Sequence, residues 1–199
     1  EDALETAFAA SASPGSPALV LCDIDNLKRV NDEGGHEAGD RALVAAADAL
    51  VAATGHHPDA IVGRFGGDEF CVLLPTGTAA DARRLALDAV HRLDAKSGER
   101  ISCGVAARSD ELRTPAALLR AADEAQYSAK RAGEELDVVV AGAGVEEPPQ
   151  RESQDRAYRS EGDSALARDL LELIEKQNGA SAEDKLERLR ARLERTACG

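Results

Sequence analysis

The stretch that decides the fold is residues 60–74, which read AIVGRFGGDEFCVLL. It contains two apolar segments, 60–65 and 70–74, separated by Gly66-Gly67-Asp68-Glu69. Consecutive glycines between segments of strand composition are typical of a tight turn, because glycine adopts the backbone angles that such turns require. The pattern therefore predicts a β-hairpin that carries acidic side chains at its tip.

Apolar segments and helical patterns alternate on both sides of this hairpin. The predicted strands are 18–22, 60–65, 70–74, 101–107 and 137–140. The predicted helices are 25–31, 38–53, 79–93 and 114–132, after the end of another helix at 4–12. The helix at 114–132 has Thr114 as its expected N-cap and Pro115 at its first position. Strands separated by helices need crossover connections, so we predict an α/β fold with a mixed sheet and helices on its faces.

The composition changes after Val140, and this change divides the chain. We assign residues 1–140 to one domain, with the end of a helix in 1–13. Residues 141–163 are rich in glycine, proline and charge, which predicts a linker. Apolar residues spaced three and four apart in 164–199 predict two amphipathic helices. This helical extension is either a hairpin that packs on its own domain or a dimerising or partner-binding element.

The charge of the chain limits its partners. Its 37 acidic residues exceed its 24 basic residues and give a formal net charge of −13. Nucleic-acid binding depends on Lys and Arg that neutralise phosphates, so we expect no nucleic-acid partner. A few positioned basic residues and a metal ion can still attract one small phosphorylated ligand.

The cysteines and the apolar runs indicate the cellular compartment in which the protein is expected. The four cysteines show no CxxC spacing, and Cys22, Cys71 and Cys103 lie in apolar runs, which predicts buried, reduced thiols. No apolar run reaches the roughly 18 residues of a membrane span, so we expect a soluble, cytoplasmic protein. Because the chain does not begin with Met, we expect it to be a fragment of a longer protein.

Acidic residues at two places, after the first strand and at the hairpin tip, are the candidate functional residues. Asp23 and Asp25 follow the first strand, where α/β sheets bind ligands, and Asp25 is the expected N-cap of the next helix. The N–H groups of that helix can face an anionic phosphate. If the hairpin lies beside the first strand, Asp23 and Asp68 converge, and such oxygen ligands suit Mg²⁺ or Mn²⁺. From spacing alone, a simple helix cap and a solvated hairpin tip stay open as alternatives.

Longer motifs around these residues name a family. RFGGDEF at 64–70 and DIDNLKRVNDEGGHEAGD at 23–40 closely resemble the GGDEF family of diguanylate cyclases. SCGVA at 102–106 and AADEAQYSAKRAG at 121–133 also match the family pattern. The resemblance implies a palm-like α+β fold, with a mixed five-stranded sheet surrounded by helices. It further implies a bacterial signalling enzyme, dependent on Mg²⁺, that condenses two GTP into cyclic di-GMP as a homodimer.

The resemblance also implies roles for individual residues. Metal ligands would be Asp23, the carbonyl of Ile24, and Asp68, while Asp68 and Glu69 would be catalytic. An Asp that faces guanine accepts hydrogen bonds from N1–H and N2–H₂, which adenine cannot offer. Asn31 and Asp40 would take this guanine-binding role, whereas Lys28 and Lys130 would bind phosphates. The implied substrate-binding set is Lys28, Asn31, His36, Asp40, Gly66, Gly67 and Lys130.

Several positions depart from the family pattern. Glu134 stands where the family usually has a phosphate-binding Arg, and Gly34 stands where an aromatic residue is usual. Residues 56–59 read HHPD instead of the inhibitory RxxD motif, so we expect no strong product inhibition there. These departures keep one alternative open, and the helical extension adds another. One is a catalytically impaired domain that binds GTP or cyclic di-GMP as a regulatory or interaction module, and the other is a scaffold that binds a partner protein through 164–199.

Overall fold

The computed structural model describes residues 7–9, 15–64, 66–133 and 136–142. Residues 7–9 are helical, within the predicted end of a helix at 4–12. Glu134, Cys198, the linker beyond residue 142 and the helical extension at 164–199 lie outside the described residues. The assignments made for them, including the domain boundaries, stay predictions.

The order of strands and helices confirms the one predicted from the sequence. The elements are β1 (Ala18–Ile24), α1 (Leu27–Gly34), α2 (His36–Ala53), β2 (Ile61–Arg64), β3 (Glu69–Leu74), α3 (Ala79–Ser97), β4 (Ile101–Ala107), α4 (Pro115–Ala132) and β5 (Val138–Val140). Thr114 caps α4 as predicted, since its side chain accepts a hydrogen bond from the N–H of Ala117. The predicted end of α3 at Leu93 was too early. The helix continues to Ser97 and ends at Gly98, whose φ of 69° is left-handed and favours glycine.

The strands form one mixed sheet in the order β2-β3-β1-β4-β5. β2 and β3 pair antiparallel, which confirms the predicted hairpin. β1 lies in the middle of the sheet and pairs antiparallel with β3 on one side and with β4 on the other. β5 pairs parallel with β4. The hairpin therefore lies beside the first strand, which was the condition for bringing its tip to Asp23.

Helices cover both faces of this sheet, because side chains of β1 alternate between two apolar layers. Val20 and Cys22 point into the layer that is formed with α2 and α3. Leu19 and Leu21 point into the layer that contains Leu118 of α4. Alternation of this kind makes β1 apolar on both sides, as its continuous apolar run predicted.

Three cysteines are buried as free thiols, which confirms the prediction for Cys22, Cys71 and Cys103. Cys22 and Cys103 lie opposite each other on β1 and β4, with their Sγ atoms 3.2 Å apart. The hydrogen bond with Cys103 and the burial of the thiol raise the pKa of Cys22. These residues therefore act as small apolar groups in the core.

Gly104 sets the distance between α4 and the sheet. A Cβ added to it would lie 2.1 Å from the carbonyl oxygen of Ala122 and 2.1 Å from the backbone nitrogen of Gln126. Both neighbours are backbone atoms of α4, so neither can move aside as a flexible side chain can. Gly104 thus allows α4 to lie directly on β4.

We expect Gly104→Ala to lower the free energy of unfolding by about 3 kcal/mol, because the added methyl group must push α4 away from β4. Urea unfolding followed by circular dichroism measures this change. Gly55→Ala is the matched control, since a Cβ there meets nothing within 4 Å. Equal stability of the Gly104→Ala and Gly55→Ala variants would contradict the close packing of α4.

Candidate functional site

Asp23 lies where the hairpin meets the end of β1. Its side chain is on the central strand, and the residue is only 6% exposed. In the sheet register it pairs with Glu69 of β3 and with Ser102 of β4. The N–H of Ile24 donates to the carbonyl oxygen of Asp68 over 3.1 Å. Strand pairing therefore brings Asp68 and Glu69 to Asp23.

A buried carboxylate needs a cationic partner, and α4 supplies one. Lys130 Nζ donates to Asp23 Oδ1 over 2.6 Å. Burial raises the pKa of Asp23 to about 6, the hydrogen bond from Lys130 opposes this rise, and the charges of Asp68 and Glu69 add to it. The Lys130 ammonium lies against this carboxylate and favours its ionised form.

The hairpin tip is held by Arg64, a residue to which the sequence analysis gave no role. Its Nε donates to the carbonyl of Gly66 over 3.1 Å, and its Nη2 donates to the carbonyl of Gly67 over 2.5 Å. A Cβ on Gly66 would lie 2.3 Å from Glu69 Oε2, whereas one on Gly67 would meet nothing within 4 Å. The space at Gly66 is therefore filled by Glu69, and Gly67 is the glycine that leaves the backbone open. A basic residue two positions before Gly66, at the start of the hairpin tip, was the available signal for Arg64.

The prediction that Asp25 caps α1 was wrong. Asp25 Oδ1 accepts a hydrogen bond from Ser102 Oγ over 2.8 Å, and the Asp25 N–H donates to the carbonyl of Arg100 over 2.9 Å. The residue in the N-cap position is Asn26, in a left-handed conformation with φ 56°, and α1 has no side-chain cap. Asp25 is drawn toward β4 instead, because β4 lies beside β1 and presents a hydroxyl there.

Four of the residues with an implied nucleotide role lie on α1 and α2: Lys28, Asn31, His36 and Asp40. Asn31 packs against Gly39, where an added Cβ would lie 2.0 Å from Asn31 Oδ1. Asp40 follows Gly39 directly and is exposed. The structure thus brings the two expected guanine-binding residues to neighbouring positions on the helix pair. Lys28 and His36 are exposed on the same two helices.

Oxygen donors dominate the end of β1, and their chemistry fits a hard divalent cation. Asp23 and Asp68 carry carboxylates, and the repulsion that raises the Asp23 pKa is the kind that a cation relieves. The described residues hold no group of three or more His, Cys, Asp or Glu side chains arranged to bind a metal ion. A cation at this place would therefore also need oxygens from a backbone carbonyl or from the bound ligand. The expected set of metal ligands already includes one such group, the carbonyl of Ile24.

The five-stranded sheet and the RFGGDEF motif on its hairpin together define a GGDEF-type domain. Residues 1–136 match the family model for the diguanylate cyclase GGDEF domain, and the chain belongs to this family. The crystal structure of the GGDEF domain of TpbB from Pseudomonas aeruginosa is 34% identical, with a TM-score of 0.62 over 71% of this chain and 92% of that chain. This likeness confirms the predicted fold class.

Sequence relatives agree with this membership. An uncharacterized protein of Streptomyces griseus is 42% identical over 120 residues, which cover 58% of this chain and 49% of the relative. The diguanylate cyclase TpbB of Pseudomonas aeruginosa is 39% identical over 123 residues, covering 57% of this chain and 28% of TpbB. The matched region is therefore half or less of each relative's length. Among the described residues, none of the helices combines the length and apolar character needed to cross a bilayer.

We expect Lys130→Gln to lower the free energy of unfolding by about 2 kcal/mol, because the Asp23 carboxylate loses its cationic partner while staying buried. Thermal and urea unfolding without added metal or nucleotide measure this change. Arg131→Gln removes the same charge from the adjacent position, where the guanidinium is exposed and lies 5.9 Å from the ring centre of Tyr127. A smaller loss for Lys130→Gln than for Arg131→Gln would contradict the importance of the Lys130–Asp23 pair.

Proposed function

We propose that this chain is a diguanylate cyclase domain, which condenses two GTP into cyclic di-GMP and releases two pyrophosphates. The observation that supports this most strongly is the convergence of Asp68 and Glu69 on the buried Asp23, with Lys130 beside them, in a member of the GGDEF family. In the reaction, the 3′-hydroxyl of each GTP attacks the α-phosphate of the other and expels pyrophosphate.

Asp23, Asp68 and the carbonyl of Ile24 would hold the cation. GGDEF cyclases generally use Mg²⁺, and Mn²⁺ has the same preference for oxygen ligands. When bound, such a cation lowers the pKa of the attacking hydroxyl and stabilises the charge of the leaving pyrophosphate. Asp68 accepts the proton of the hydroxyl, and Glu69 supports the metal and substrate site from the neighbouring position.

The remaining substrate residues divide by the part of GTP that they would bind. Asn31 and Asp40 hold the guanine edge, and His36 lies close to the nucleotide. Lys28 and Lys130 bind phosphates. To do so, Lys130 gives up its hydrogen bond to the Asp23 carboxylate and donates to a phosphate oxygen instead. Gly67 lets the nucleotide approach the hairpin backbone, while Gly66 makes room for Glu69.

A homodimer is part of this proposal, because one domain binds one GTP and the product contains two nucleotides. Two domains would meet with their carboxylate sites facing each other. The helical extension at 164–199 is the segment that we propose for dimerisation or for a protein partner.

The direct test is incubation of the protein with GTP and Mg²⁺, followed by chromatographic separation of the nucleotides. We expect cyclic di-GMP from the parent and at least a roughly 100-fold lower rate from Asp68→Asn, which loses both a cation ligand and a proton acceptor. Asp110→Asn is the matched control, since this exposed residue follows the far end of β4. Its rate should equal that of the parent.

Two other results would contradict the cyclase proposal in different ways. Nucleotide binding without turnover would favour the regulatory domain. The first substitution to make would then be Glu134→Arg, which restores the usual phosphate-binding residue of the family. The absence of both binding and turnover would favour the scaffold, whose partner is then sought through residues 164–199.

The proposal also makes Asp40 a determinant of base selectivity. We expect Asp40→Asn to raise the KM for GTP at least about tenfold and to narrow the discrimination against ATP, because Asn offers one acceptor and a mismatched donor to the guanine edge. Glu37→Gln removes one negative charge from the first turn of the same helix and serves as the control. If Asp40→Asn and Glu37→Gln discriminate between GTP and ATP equally well, Asp40 does not bind the guanine edge.

A further inference from the structure

Cys22 and Cys103 are two buried thiols that strand pairing places directly against each other. They are opposite partners on β1 and β4, and their Sγ atoms are 3.2 Å apart. The two residues are 81 positions apart in the chain, so only the fold brings them together. Both side chains point into the same apolar layer, where they are 2% and 0% exposed. The carboxylate site makes no use of either thiol.

The backbone register of this pair suits a covalent bond between the two sulfurs. The N–H of Cys103 donates to the carbonyl of Asp137 over 2.7 Å, so the backbone groups of Cys103 face β5 and not β1. Cys22 and Cys103 are therefore a non-hydrogen-bonded pair of the antiparallel ladder. In such a pair the Cα atoms lie about 4.5 Å apart and the side chains are closest. Disulfides span Cα separations of about 4.4 to 6.8 Å, which includes this pair at the short end of the range.

We propose that Cys22 and Cys103 form a redox modification site, which hydrogen peroxide closes into a reversible cross-strand disulfide, and that this closure changes the carboxylate site beside it. The short Cα separation strains such a bond, and strained disulfides are the ones that thiols reduce readily. A dithiol therefore restores the two thiols by exchange. The open pair packs as two small apolar groups, and the closed pair is a cross-link between β1 and β4.

The oxidation needs a small oxidant that accepts two electrons, and hydrogen peroxide fits this requirement. The sulfur of one thiol attacks a peroxide oxygen, the O–O bond breaks, and a sulfenic acid and one water are formed. The sulfur of the other thiol attacks the sulfenic sulfur, the S–O bond breaks, and a second water leaves with the disulfide in place. Both thiol protons end in the waters. Because the pair is buried, peroxide reaches it through local opening of the sheet.

The sequence neighbours of the pair connect it to the carboxylate site. Cys22 directly precedes Asp23, Cys103 directly follows Ser102, and Asp23 and Ser102 are themselves opposite partners. Closure draws the two sulfurs from 3.2 Å to about 2.05 Å. A closely packed core does not absorb such a change without movement of its neighbours. The end of β1 that carries Asp23 therefore shifts relative to β4.

The first test locates the bond by peptide mass spectrometry. The full chain with Cys198→Ala, which leaves three cysteines, is treated with hydrogen peroxide, alkylated in denaturant and digested. We expect a disulfide-linked pair of peptides that contain Cys22 and Cys103, and we expect its loss after dithiothreitol. Cys71 is the internal control, because it is also buried at 3% exposure but points into the other apolar layer. It should remain alkylated.

Two variants and one parallel treatment complete this test. Cys71→Ala should form the linked peptides like its parent, and Cys103→Ala should form none. Urea-unfolded protein, treated in parallel, shows that the peroxide is active and should give a mixture of pairings among the three cysteines. If folded protein keeps Cys22 and Cys103 alkylated, or links them no more often than either is linked to Cys71, the redox site does not exist.

The second test measures the effect of closure on the carboxylate site. The N–H of Ile24 is bound to the carbonyl of Asp68, so its amide NMR signal reports on the contact between β1 and the hairpin. We expect this signal to shift on oxidation, to return with dithiothreitol, and to stay unchanged in Cys103→Ala. An unchanged Ile24 signal in protein that carries the disulfide would contradict the coupling to the site.

A third readout rests on the proposed function. We expect the rate of cyclic di-GMP formation to fall at least about threefold on oxidation, because small displacements of reacting groups are costly in catalysis. Dithiothreitol should restore the rate, and Cys103→Ala should show no such loss. An unchanged rate with the disulfide formed would also contradict the coupling. If the reduced parent forms no cyclic di-GMP, the proposed function fails, and the peptides and the Ile24 signal alone decide the redox site.

Discussion

The buried carboxylate of Asp23 is the constraint on which the rest of the site depends. A charge on a central strand costs several kcal/mol unless partners surround it. Its cationic partner, Lys130, belongs to α4, and the carboxylates that repel it belong to the hairpin. The ammonium balances a charge that Asp68 and Glu69 make harder to keep. The buried Asp23 carboxylate thus depends both on the position of α4, which carries Lys130, and on the strand register that places the hairpin beside it.

Each side of β1 contributes differently to this end of the sheet. The hairpin brings acidic side chains to Asp23, whereas Ser102 of β4 and Arg100 just before it supply the hydroxyl and the carbonyl that fix the turn into α1. Gly104 lets α4 approach closely enough for Lys130 to reach Asp23. Within a chain of net charge −13, the site therefore combines oxygen donors with a local cation, as a triphosphate and its metal ion require.

Local sequence pattern was sufficient for the order of the elements and for the hairpin, whereas the position of the hairpin beside β1 was only a condition. The glycine pair at 66–67 predicted the turn, and the apolar run at 18–22 predicted a strand covered on both faces. The partners of individual side chains could not be predicted in this way. Asp25 was expected to cap α1, but Ser102 is 77 residues away and becomes its neighbour only through strand pairing. Lys130 contacts Asp23 across 107 residues because α4 packs on the sheet, and the filling of the Gly66 space by Glu69 depends on the conformation of the turn.

The most direct test of the central claim is a crystal structure of the protein with a non-hydrolysable GTP analogue and Mn²⁺, with data collected at the manganese absorption edge. The account predicts an anomalous peak between the carboxylates of Asp23 and Asp68, with Lys130 turned from Asp23 to a phosphate oxygen. A bound nucleotide with no manganese at these carboxylates, and with the Lys130–Asp23 pair intact, would contradict it.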